Sequence, residues 1–96
     1  MKHSDEDKVL LAIYKEYKKD LPDMNKINAK VLGLESDVFK IALKKLRTEE
    51  LITFESHTGG DGTIPLFIAK ETIEIKPLGV KKARELEENH NENFNL

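Results

Sequence analysis

Four cations crowd one short stretch of this sequence, Lys40, Lys44, Lys45 and Arg47, with no acid between residues 40 and 47. At 100° per residue, Lys40, Lys44 and Arg47 share one helical strip with Ser36, Asp37 and Thr48, and Lys45 lies outside it. Cations at that spacing suit phosphate chemistry: each ammonium replaces a condensed counterion, and a serine at a helix start donates to a phosphate oxygen. The candidate nucleic-acid contacts are therefore Ser36, Lys40, Lys44, Lys45 and Arg47, with protonated His57 from the segment that follows. Glu35 and Asp37 oppose them by repelling phosphate, although an aspartate can accept from cytosine N4. Only Arg47 and Arg84 among the 16 basic residues are arginine, so the rigid fork that reads guanine is scarce.

Other chemistries lack their residues. His3, His57 and His90 are scattered, with no pair at metal-ligand spacing, and there is no cysteine. Gly59-Gly60-Asp61-Gly62 looks like a phosphate loop only superficially, because a β-type run follows it and no lysine accompanies it. Carboxylates are plentiful but lie mostly on expected surface faces, and no serine or threonine has a nucleophile context. We expect no enzyme, no cofactor, no metal and no evident small-molecule ligand.

The elements that must position the cations follow from periodicity. Val9, Leu10, Ile13, Tyr14 and Tyr17 recur at helical spacing, which predicts a helix over 5–19 that Ser4 caps and Pro22 closes. A second helix is expected over 24–33, with Ile27, Val31 and Leu32 inward and Gly33 as its stop. A third is expected from about 36 to 49, where Val38, Phe39, Ile41, Ala42, Leu43 and Leu46 fill a broad apolar arc. The period then becomes alternating. Residues 51–55 and 64–69 read as two strands of a hairpin around a Gly-rich turn, with Pro65 near an edge. Residues 72–75 are ambiguous, and Pro77 opens a last helix to about Asn89 with Val80, Ala83 and Leu86 inward. Residues 91–96 are expected to be a flexible tail after a single domain over 1–90.

This order gives an α+β class: a winged helix-turn-helix of three helices, a β-hairpin wing and a C-terminal helix. Leu32-Gly33-Leu34-Glu35-Ser36-Asp37-Val38-Phe39, Leu46-Arg47-Thr48-Glu49-Glu50-Leu51-Ile52 and Ile75-Lys76-Pro77-Leu78-Gly79-Val80 together resemble the YjcQ family of small bacterial and phage winged-helix proteins. That resemblance implies the fold; separately, Phe39, Leu43, Leu46, Leu51 and Ile52 are similar in spacing to the run that ends the recognition helix of winged-helix regulators, so 39–47 looks like that helix. Glu50 stands where winged helices usually have glycine, so that corner must tolerate a side chain. Lys76 replaces the usual threonine cap.

The expected function is DNA binding by a small bacterial or prophage transcription regulator, with double-stranded DNA as partner. The net charge of −2 runs against this, so the placement of cations matters more than their sum. The alternative is a protein-interaction module, possible as a homodimer through the last helix, with Ile41, Phe94 and Leu96 as apolar contacts. The acidic start of the chain is unlike a signal or transit peptide, and no apolar run reaches membrane length, so a cytoplasmic protein is expected.

Overall fold

A computed structural model describes the backbone of residues 4–58 and 65–94 and the side chains of residues 4–56 and 67–88. It is a small α+β fold of four helices and one antiparallel hairpin, an order compatible with a winged helix.

Helix α1 (Asp5–Tyr17) starts on a capping box. Ser4 Oγ accepts from the Asp7 amide at 3.1 Å, and the Asp7 carboxylate accepts from the Ser4 amide at 3.4 Å. Its stripe of Val9, Leu10 and Ile13 is wholly buried, with Tyr14 beside it, while Tyr17 is half exposed. The helix ends well before Pro22, at a turn held by Glu16. That buried carboxylate accepts from the Asp23 amide at 2.9 Å and from Lys19 Nζ at 3.0 Å. Both bonds favour the charged form and hold its pKa below the ordinary glutamate value, the Asp23 amide contributing most.

The single second helix expected over 24–33 is instead two short pieces: a 3-10 turn at Met24–Lys26, then α2 (Ala29–Leu32). Asn28 divides them, because its side chain caps the Val31 amide at 2.9 Å and needs an extended backbone. Ile27 is buried as expected, but Val31 is 71% exposed on the far side of the short helix.

Helix α3 (Ser36–Thr48) is the rod of the domain, burying Phe39, Ala42, Leu43 and Leu46 against α1 and the hairpin. The C-terminal ends of α2 and α3 are made by the same backbone device. After α2, Leu34 N–H bonds Ala29 O at 2.9 Å and Gly33 N–H bonds Lys30 O at 3.1 Å. After α3, Leu51 N–H bonds Leu46 O at 3.0 Å and Glu50 N–H bonds Arg47 O at 3.0 Å. Each is a Schellman turn with one left-handed residue, Gly33 at φ 71° and Glu50 at φ 63°. The second turn therefore does place a side chain where glycine is the easier choice.

Strand β1 (Ile52–Thr58) pairs antiparallel with β2 (Pro65–Ile75), which runs through the stretch that looks ambiguous in sequence. Its pairing jumps from Glu55↔Ala69 to Thr53↔Glu74, leaving residues 70–73 as a bulge opposite Phe54. Thr72 closes the gap: its hydroxyl accepts from the Glu55 amide at 2.8 Å and donates to Ala69 O at 2.6 Å. Ile73 returns to the core.

Helix α4 (Pro77–Phe94) continues past Asn89, so 91–94 extend it rather than forming a separate tail, and Leu96 lies outside the described residues. Its start is clamped to the α3–β1 corner, where Lys76 N–H bonds Leu51 O at 2.9 Å. A Cβ on Gly79 would overlap that same Leu51 carbonyl and come within 2.8 Å of Ile75 Cγ1, which explains the glycine. Farther along, α4 rests on α1. Arg84 Nε donates to Tyr14 Oη at 3.4 Å, and Lys18 sits 4.4 Å over the Tyr14 ring and 3.8 Å from Glu87. None of the described helices is long and apolar enough to cross a membrane.

Candidate nucleic-acid interface

The cations that share a strip in sequence are parted by the fold. Arg47 turns to the hairpin. Its guanidinium lies 4.3 Å over the Phe54 ring, and Nη1 donates to Phe54 O at 3.3 Å and to Ser56 Oγ at 3.1 Å. Strand β1 thus lies beside the C-terminal end of α3, and a residue expected to face water becomes a brace between helix and hairpin. Lys45 is exposed on the other side of α3, in a hollow it shares with Ser4, Asp5, Glu6 and Ile41, where two acids offset its charge. Lys44 is half-buried beside Ile41, Lys45 and Thr48, and the Thr48 hydroxyl donates to Lys44 O at 2.9 Å. His57 pairs with Phe67 across the hairpin, and its imidazole lies outside the described side chains. The Gly-rich turn over 59–62 and the side chains of His3, His90 and Phe94 also lie outside them.

Ser36 and Lys40 stay together. They line an open groove of about 390 Å³ bounded by α2, the first half of α3 and β2. Sequence reasoning missed three of its residues: Lys30 from α2, and Phe67 and Lys70 from β2. Among the described residues, three lysines and no acid line this groove, in a chain whose net charge is −2. Lys30 and Ser36 are exposed, Lys40 and Lys70 half-buried, with ammonium groups carried at the ends of apolar stems. The floor is Phe39, which is buried, and Phe67 stands at the wall with 54% of its surface in solvent. The groove exists because the Asn28 cap and the Gly33 turn fold α2 back across α3, while the hairpin lays β2 along the other side.

Glu35 and Asp37, which oppose phosphate, are exposed on either side of Ser36 at the start of α3. Glu6 of α1 faces Glu49 at the end of α3; partial burial, then a carboxyl–carboxyl hydrogen bond and repulsion, raise the Glu6 pKa against the pull of Lys82 and Lys45. The protein thus has an acidic end at the α1–α3 junction and a cationic groove at the α2–α3–β2 junction. Among the described residues no group of three or more His, Cys, Asp or Glu is placed to hold a metal ion. Compared with known proteins, the chain matches no family model, no curated protein and no solved structure.

Proposed function

We propose that this is a winged-helix DNA-binding protein of the small regulatory kind, which holds nucleic acid along the groove between α2, α3 and β2. The observation that carries the reading is the convergence of Lys30, Lys40 and Lys70 from three elements on one groove, which no acid lines among the described residues. A phosphate chain passing there meets positive potential that the overall charge conceals, and Ser36 adds a donor at the start of α3. Lys40 and Ser36 keep the roles their spacing suggests, Lys30 and Lys70 join them, and Arg47 shapes the wing instead of contacting phosphate.

The test is a titration of labelled duplex DNA by anisotropy across a range of salt. Three lysine–phosphate contacts predict a slope of log K against log salt of about −2 to −3. Lys30→Ala, Lys40→Ala and Lys70→Ala each weaken binding and flatten the slope by about 1, whereas Lys45→Ala, beside Asp5 and Glu6, changes little. Binding that survives all three groove substitutions, or a complete lack of binding at low salt, overturns the proposal. Self-association in place of DNA binding would favour a protein-interaction module.

A further inference from the structure

Helix α3 carries an apolar residue on the side that turns away from the core. Phe39 and Leu43, each two residues from Ile41, lie about 200° round the helix from it and are buried. Ile41 therefore sits in the middle of the opposite side. With Val38 it belongs neither to the core nor to the half-buried apolar residues packed on it. Two hollows meet at Ile41, one of about 280 Å³ toward Val38, Asp5 and Glu6, the other of about 320 Å³ toward Thr48 and Glu49. Charges are placed symmetrically about it. Asp37 stands four residues before Ile41 and Lys45 four residues after. Both are exposed, and among the described residues neither joins an ion pair within the chain. The helix dipole favours an acid early and a cation late, but it sets no angular position for either. Here both fall within about 40° of the Ile41 line, which makes the stripe complementary to its own reverse.

We propose that this face of α3 joins a second copy of the chain, the two α3 helices lying antiparallel and crossing at Ile41. A twofold axis there sets Ile41 against Ile41 and Asp37 of each copy opposite Lys45 of the other, so both charge pairs form at once. Antiparallel helices also bring the positive end of each dipole beside the negative end of its neighbour. The contact is one helix of 13 residues long, about 20 Å, around a single apolar centre. That is small beside a standard interface, so the dimer is weak and reversible. Asp37, Ile41 and Lys45 do not line the lysine groove, and each copy keeps its own nucleic-acid surface.

Sedimentation velocity of the full chain without DNA, at low salt and from micromolar to millimolar concentration, reads the assembly. We expect a monomer–dimer equilibrium that Ile41→Lys weakens by roughly 10-fold or more. Asp37→Lys and Lys45→Glu each set like charges opposite one another in the pair and weaken self-association by about 10-fold. An equimolar mixture of those two variants dimerises as well as the unsubstituted chain, because every charge then meets its opposite. A monomer throughout, a dimer untouched by Ile41→Lys, or a mixture no better associated than its components overturns the inference. Each of those results leaves the DNA-binding proposal standing, since the three substituted residues lie outside the groove. Circular dichroism of each variant confirms the fold.

Discussion

The Arg47 guanidinium lies 4.3 Å over the Phe54 ring while donating to the backbone carbonyl of that same residue at 3.3 Å. One side chain thereby fixes both the distance and the rotation of β1 against α3. Because β2 pairs with β1, the brace also sets where Phe67 and Lys70 stand relative to Lys40.

Arg47→Ala removes the ring contact and both hydrogen bonds, and we expect a loss of about 1–3 kcal/mol in urea unfolding. Arg47→Lys keeps the charge but not the flat donor pair, and should recover less than half of that loss. The same variants should weaken DNA binding only through the displaced hairpin, with an unchanged salt slope, since Arg47 itself neutralises no phosphate.

The two Schellman turns give opposite expectations for substitution. Glu50→Gly relieves a left-handed side-chain residue, worth about 1–2 kcal/mol, against an unfolded-state cost of about 0.4–1 kcal/mol, so a modest net gain is expected. Gly33→Ala should cost about 1 kcal/mol from backbone strain alone, because nothing lies within 4 Å of the added Cβ. Thermal unfolding of both variants, side by side, checks the signs.

Gly79 behaves differently, since its constraint is contact and not φ. Gly79→Ala drives a methyl group into the Leu51 carbonyl and toward Ile75, forcing α4 away from the corner that Lys76 ties. The expected loss is about 1–3 kcal/mol, typical of overpacking, and larger than that of Gly33→Ala. Amide exchange at Lys76 and Val80 should accelerate together.

Two glutamates give opposite pH dependence. Glu16 has a folded pKa below its unfolded value of about 4.3, so its stabilisation is present above that value and is lost as pH falls through the folded pKa. Glu6 has a raised folded pKa, so its stabilising contribution is present below about 4.3 and disappears as pH rises through the folded value. Glu16→Gln should thus lower the urea midpoint at pH 7 and flatten the acid limb. Glu6→Gln should raise the midpoint at pH 7 and leave it unchanged near pH 3.

Local patterning made α1, α3, the hairpin and the α4 start legible, because each depends on neighbouring residues and a capping or turn residue. The β2 bulge was not legible, since Lys70-Glu71-Thr72 is too polar to read as strand. Only the long-range Thr72–Glu55 bond shows why it holds. The break at Asn28 escaped for a related reason: the asparagine's preference for capping overrode an apolar period shared by Ile27, Val31 and Leu32. Helical spacing grouped Lys40 with Arg47, but it carries no information on which side the hairpin packs. Lys30 lies ten residues before Lys40, and Phe67 and Lys70 lie 27 and 30 residues after it, so they meet Lys40 only through the tertiary fold.

The most direct test of the central claim is a backbone-amide NMR titration of the protein with duplex DNA at low salt. The account predicts shifts that cluster on Lys30, Ser36, Lys40 and Phe67–Lys70 and fade as salt rises, with Lys18, Arg84 and Glu87 at the α1–α4 seam unmoved. Shifts confined to that seam or to the Ile41–Lys45 face, or none at all, would contradict it.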